Sequence, residues 1–202
     1  MAGNAIRAAA ETYIGLVEVG AGVVPAGGGC MRLYKRNVAA LPDTSDVYPA
    51  LRKTFETIGM AKVATSADEA RDVGFLRPQD TWSMNGDHRM ADAKDLALAM
   101  ARAGFEPARP QLDVPVMGKG GMALVESVLF NMQEGQYISE HDRKIGRELG
   151  RILSGGDIPG PTTVSEQHLL DLEREVFLRM CGERKTLERM QAILKTGKPL
   201  RN

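Results

Sequence analysis

The chain has 202 residues, and its 26 lysines and arginines are balanced by 26 aspartates and glutamates, for a formal charge of zero at pH 7. That balance, with aromatics at only 5%, argues against a nucleic-acid binder, which presents a basic face interleaved with stacking rings. No apolar run is long enough to cross a bilayer, so one or two modest globular domains are expected, with no membrane insertion. Cys30 and Cys181 lie far apart with no CxxC spacing. Such cysteines are expected to be free thiols in a reducing compartment, which gives a cytoplasmic location. His88, His141 and His168 share no ligand spacing, so no metal site is expected. Residues 1–10 lack the basic region and apolar core of a signal peptide.

In chain order, residues 2–7 read as a ragged start. Residues 13–17 are a short apolar run with β-branched and aromatic members, which favours a buried extended segment over a helix. Glu18 stands at its end between Val17 and Val19, partly desolvated and so a better proton donor or acceptor near neutral pH. On residue type alone, a solvated loop-rim glutamate is the commoner outcome. Gly20, Gly22, Pro25 and the triplet Gly27, Gly28 and Gly29 follow, a composition that lets backbone approach a ligand closely. They read as a tight turn entering a helix over residues 30–36, whose free N-terminal amides could hold a water, a carbonyl or a phosphate. Two stricter phosphate readings fail. Gly20-x-Gly22 meets Pro25 where a dinucleotide fingerprint needs its third small residue, and Gly118-Lys119-Gly120-Gly121 lacks both the following Ser/Thr and the earlier Gly of a Walker A loop.

Residues 37–44, with Leu41-Pro42-Asp43, break the helical pattern. Ser45 then caps a helix running to Ile58, with Val47, Leu51 and Phe55 on one face and Gly59 as its stop. Residues 61–65 read as a short strand. Ser66-Ala67-Asp68-Glu69 is a capping box opening a helix that ends at Gly74. A brief extended stretch is expected around Phe75 and Trp82, then a helix over 90–103 closed by Gly104 and broken by Pro107 and Pro110. Asp80, Asp87, His88 and Arg89 resemble an acid/base cluster, but a polar run beside Asn85-Gly86 is more often a solvated turn.

Residues 107–118 read as a linker, and the rest is nearly all helix. One helix, over 121–136, presents Leu124, Val125, Val128, Leu129 and Met132. Ser139-x-x-Asp142 caps a second with Ile145, Leu149, Ile152 and Leu153, ended by Gly155-Gly156. Thr163-x-x-Glu166 opens a third with Leu169, Leu172, Val176 and Met180. A fourth carries Leu187, Met190, Ile193 and Leu194 before Gly197. Such faces most often pack on one another. The basic end at Lys195, Lys198 and Arg201 most simply complements the last helix dipole. The expected fold class is α+β, predominantly α, divided into residues 1–106, a linker over 107–118, and a terminal helical bundle over 119–202. Residues 121–202 are expected to form the self-sufficient core, because their helices can bury their apolar faces on one another.

The run Glu18-Val-Gly-Ala-Gly22-Val-Val-Pro25-Ala-Gly27-Gly28 resembles the P-E-x-x-x-G-x-x-P-G/A-x-G-G segment of the crotonase (enoyl-CoA hydratase) superfamily. With the terminal K-P-L-R-N, the segment A-E-T-Y-I-G-L-V-E-V-G is similar to the C-terminal part of bacterial multifunctional 3-hydroxyacyl-CoA dehydrogenase/enoyl-CoA hydratase proteins of fatty-acid β-oxidation. That resemblance implies the C-terminal portion of a crotonase-like domain, an acyl-CoA thioester as substrate, homo-oligomers, and NAD for a dehydrogenase half lying outside this chain. No cofactor is expected within the chain itself. The resemblance makes Glu18 one of two catalytic carboxylates that hold the added water, and puts Ala26 and Gly27 against the substrate. Only by this resemblance is the helix near 45–58 an inserted one, and only by it are residues 1–36 expected to be loosely held. It also likens the helix opened by Ser66 to the one leading out of the family's active-site half, and suggests that a terminal helix face lines an acyl-chain tunnel or a subunit interface and that the basic end meets the phosphates of coenzyme A. The family's partner carboxylate and oxyanion glycines belong to an earlier G-G-G-x-E segment and strand with no match here, so a fragment inactive alone is expected. Two alternatives stay open: a non-catalytic interaction module, and an isomerase-type crotonase working with a single base.

Overall fold

Capping side chains and left-handed glycines set many of the element boundaries in the computed structural model, which describes residues 1, 3–43 and 45–202. Position 2 of the expected ragged start and position 44 at the end of the expected break lie outside the described residues. The strands are β1 (Arg7–Ala9), β2 (Ile14–Gly15), β3 (Val63–Ala64), β4 (Thr81–Ser83), β5 (Val114–Val116) and β6 (Thr162–Val164). The helices are α1 (Gly29–Ala39), α2 (Tyr48–Gly59), α3 (Ala67–Val73), α4 (Arg89–Arg102), α5 (Lys119–Glu134), α6 (Glu140–Leu153), α7 (Glu166–Cys181) and α8 (Arg184–Thr196), with 3-10 turns at Glu18–Ala21 and Gly86–His88. The chain is mostly helical with small two-stranded sheets, compatible with the expected α+β class. Among the described residues no helix is long and apolar enough to cross a membrane.

The chain divides into two compact units, Met1–Gly15 with Val63–Pro110, and Leu16–Lys62 with Gln111–Asn202. This interleaved division differs from the linear one expected, because residues 16–62 pack with the terminal helices rather than with the segments beside them in sequence. Nor is 107–118 only a linker. Its Val114 and Val116 are buried in β5, which pairs antiparallel with β6, Val114 opposite Val164 and Val116 opposite Thr162.

In the first unit β1 runs parallel to β4, with Arg7 opposite Thr81 and Ala9 opposite Ser83, and β2 pairs antiparallel with β3 through Ile14 and Ala64. Only two residues of the expected 13–17 segment are extended in a sheet; Tyr13 is 76% exposed. Ser66 caps α3 as expected by accepting from the Glu69 N–H at 3.1 Å, and Gly74 ends it at φ +105°. Glu69 does not complete the box, since its carboxylate accepts from the Thr65 N–H and hydroxyl instead. Asp80 corrects the expectation of a solvated turn. It is buried and accepts from the Ile6 N–H at 3.0 Å, the Arg77 N–H at 2.7 Å and the Arg77 guanidinium at 2.8 Å, while Asp87, His88 and Arg89 are exposed. Asp80 therefore ties the start of the chain to the approach of β4, a structural task.

In the second unit α1 supplies Cys30, Met31, Leu33 and Tyr34 to the core, where they meet the apolar faces of α2, α6 and α7. The expectation that residues 1–36 hang loosely therefore fails for this helix. Val47, Leu51 and Phe55 are buried together as the spacing predicts, but Ser45 does not cap α2. Its N–H and hydroxyl both donate to Asp43, at 2.9 and 2.8 Å, so the helix starts later, with Pro49 in its first turn. The Ser139/Asp142 capping box and the buried faces of α6 and α7 follow the sequence reading. Thr163 does not open α7, because it pairs with Pro115 in β6; Ser165 takes the cap and accepts from the His168 N–H at 3.1 Å.

Helix α8 departs furthest from its pattern. Thr186 and Arg189 are its buried residues, while Leu187 and Leu194 are 46% and 86% exposed. A polar network outcompetes the apolar residues for the inner face. Arg189 pairs with Asp142 at 2.8 Å and donates to the Asn202 side chain at 2.8 Å, which in turn donates to the Lys185 carbonyl at 3.1 Å.

Candidate functional site around Glu18 and the start of helix α1

Glu18 opens a 3-10 turn rather than ending a strand. The turn is closed by the Gly20 N–H on the Val17 carbonyl at 3.0 Å and the Gly22 N–H on the Val19 carbonyl at 3.1 Å. Gly22 leaves it at φ +90°, a conformation that side chains with a Cβ rarely adopt. Glu18 is half-buried, and its Oε2 is shielded from solvent with no hydrogen-bond partner among the described residues. A buried acceptor without a donor costs about 1–3 kcal/mol, which sets this oxygen apart from the other carboxylate oxygens of the site.

Beyond Val23 and Val24, both buried, Pro25 to Gly28 make the turn into α1, and Gly28 at φ +84° is the residue before the helix. Of the two residues expected against a substrate, Ala26 is half-buried and Gly27 is exposed. The Gly27 carbonyl accepts from Arg32 at 2.9 Å.

The amides expected to be free at this helix start are not all free. Glu173, from α7, accepts from the Gly28 N–H through Oε2 and from the Met31 N–H through Oε1, each at 2.7 Å. Glu173 is fully buried and fills with its own carboxylate the anion position that the helix N-terminus offers. Sequence reasoning missed it, although a signal was present: Glu173 sits on the α7 face defined by Leu169, Leu172, Val176 and Met180, where a charged residue needs a partner. Cys30 lies in the same environment, its Sγ donating to the Pro25 carbonyl at 3.4 Å. Burial, then the nearby charges of Glu173 and Glu18, hold its thiol well above the usual range and make it unreactive.

Burial lifts Glu173 to about 7, against the downward pull of the Met31 and Gly28 N–H groups and of Arg32. A carboxyl raised in the folded state stabilises most below its ordinary value of 4.5, and that contribution is lost as pH rises through about 7. The stability of the unsubstituted chain relative to Glu173→Gln is therefore expected to fall between those two pH values, by at most roughly 1.4 kcal/mol per pH unit. Urea unfolding of both proteins across the window measures this, and parallel pH profiles would contradict it.

The other glycine-rich segment is structural. The Gly118 N–H donates to the Ser154 carbonyl and the Lys119 N–H to the Ile158 carbonyl, both at 2.9 Å, as the chain enters α5. Among the described residues no group of three or more His, Cys, Asp or Glu is placed to hold a metal.

The fold and this site describe a mostly helical chain in which, among the described residues, a buried carboxylate oxygen of Glu18 is unsatisfied and the start of α1 is closed by Glu173. No protein-family model matches the chain. Over 197 residues, 98% of its length, it is 45% identical to a Bacillus subtilis (strain 168) protein named as a probable 3-hydroxyacyl-CoA dehydrogenase. The matched part is 24% of that relative, so the chain spans about a quarter of the protein it resembles.

Proposed function

We propose that this chain works in the cytoplasm as one part of a longer acyl-CoA enzyme of the kind for which its relative is named. Its own share is the Glu18 side of a crotonase-like site that hydrates trans-2-enoyl-CoA to 3-hydroxyacyl-CoA. The observation that carries this reading is the buried Oε2 of Glu18, unpartnered among the described residues. It stands at the position where the residue pattern from Glu18 to Gly28 resembles the hydratase segment, in a chain 45% identical to a probable 3-hydroxyacyl-CoA dehydrogenase.

In this reading Oε2 accepts a hydrogen bond from the water to be added. Glu18 orients that water and accepts its proton as the new C–O bond forms at the β-carbon, and the α-carbon takes up a proton from the second carboxylate. The negative charge that develops on the thioester oxygen needs preorganised amide donors. Those donors and the second carboxylate are assigned to sequence outside this chain. Glu173 does not replace the missing partner, since it is fully buried and both its oxygens accept from the start of α1. NAD is assigned to the dehydrogenase part of the longer enzyme. The residues here do not fit it, because Gly20 and Gly22 belong to a 3-10 turn rather than to a strand-to-helix crossing.

The chain alone is accordingly expected to show no hydration of crotonyl-CoA above background, followed as loss of enoyl absorbance. Turnover approaching that of an ordinary hydratase would show that it needs no outside donors. A second reading, a non-catalytic assembly module, is favoured by the exposed Leu178, Leu187 and Leu194 on α7 and α8. Under it Glu18→Gln leaves the longer enzyme's hydration rate unchanged, and sedimentation shows self-association that charged substitutions at Leu187 and Leu194 abolish.

A further inference from the structure

The 3-10 turn that begins at Glu18 is held at its far end by a side chain from the last helix. The Thr186 hydroxyl donates to the Gly22 carbonyl at 2.8 Å, across 164 positions of sequence. A hydroxyl has one proton to donate, so the His141 ring nitrogen 3.0 Å from the Thr186 Oγ1 is the donor of the next link, which requires a proton on Nε2. Burial first, then Arg189 and Lys185, hold His141 below its ordinary value and favour the neutral form.

The approach is close as well as hydrogen-bonded. A Cβ on Gly22 would lie 2.9 Å from the Thr186 hydroxyl and 3.0 Å from its Cα, so the backbones of turn and helix are in contact. The Gly22 N–H closes the turn on Val19, and the next N–H, that of Val23, donates to the carbonyl of Glu18 itself at 3.3 Å. Whatever fixes Gly22 therefore fixes the backbone from which the Glu18 carboxylate projects. Helix α8 is in turn held by the Arg189–Asp142 pair and by Asn202, so the grip is anchored at both ends.

We propose that Thr186, supported by His141, is a positioning residue for Glu18, and that the exposed apolar residues of α8 are the cost of turning its polar face inward to grip the turn. The inference rests on the reading of Glu18 as a catalytic carboxylate. A carboxylate displaced by a fraction of an ångström from a bound water loses rate while substrate affinity, set elsewhere, is retained.

The test uses Thr186→Val, which keeps shape and removes the hydroxyl, and Thr186→Ser, which restores it, each made in the longer enzyme beside Glu18→Gln. Thr186→Val is expected to lower kcat for crotonyl-CoA hydration tenfold or more with KM within twofold, and Thr186→Ser to recover most of the rate. In this chain, hydrogen exchange at the Gly22 and Val23 amides is expected to quicken at least tenfold in Thr186→Val. Should that variant not fold, His141→Leu, which leaves the hydroxyl free to rotate away from Gly22, carries the same expectations.

If Glu18→Gln is impaired while Thr186→Val hydrates at the unsubstituted rate, the positioning role is overturned and the catalytic reading stands. If Glu18→Gln is itself unimpaired, the catalytic reading falls and takes the positioning role with it; quickened exchange would then show a purely structural grip. A fall in kcat that Thr186→Ser does not repair also overturns the proposal, since the hydroxyl would not be the acting group.

Discussion

Glu18→Gln, made in the longer enzyme proposed to carry this chain, is expected to lower kcat for enoyl-CoA hydration by about 10²–10⁴-fold, the usual contribution of a positioned acid/base group. The substitution preserves length and one acceptor oxygen but replaces the other with an amide nitrogen that cannot take a proton. Because Oε2 has no partner to lose among the described residues, the folded chain is expected to keep its stability, and the dehydrogenase step its rate. Parallel measurement of crotonyl-CoA hydration, 3-hydroxyacyl-CoA oxidation and thermal unfolding separates these effects. Hydration at the unsubstituted rate would remove Glu18 from the chemistry.

Glu173→Ala is expected to do the reverse, lowering the stability of this chain by about 2–4 kcal/mol near pH 4.5, where the contribution of Glu173 is still present. The methyl group leaves the Gly28 and Met31 amides without an acceptor in a fully buried place. Each buried, unmade hydrogen bond costs about 1–3 kcal/mol. Against a typical total stability of about 5–15 kcal/mol that is a large fraction, and it falls on the helix whose Met31, Leu33 and Tyr34 are core residues. Chemical unfolding of the two proteins measures it directly, and a loss under about 0.5 kcal/mol would mean that water caps the helix as well as Glu173 does. The two glutamates thus differ in kind: both oxygens of Glu173 are bonded to the start of α1, whereas Oε2 of Glu18 has no partner among the described residues.

Features decided by local backbone chemistry were legible in the sequence. The Ser139/Asp142 capping box, the glycines ending α3, α6 and α8, and the faces bearing Val47, Leu51 and Phe55 or Ile145, Leu149, Ile152 and Leu153 are set by contacts within a few residues, which residue order encodes directly. The prominence of the Glu18–Gly28 segment was legible for the same reason, since its glycines and proline dictate a turn whatever surrounds it. Tertiary structure alone decided three things. Residues 16–62 pack with the terminal helices, α8 turns Thr186 and Arg189 inward in place of its leucines, and Glu173 closes the start of α1 from 145 positions away. Each depends on a buried polar group finding a partner distant in sequence. Periodicity records only which face is apolar, whereas the partner that makes burial of a charge or hydroxyl tolerable exists only once the chain has folded.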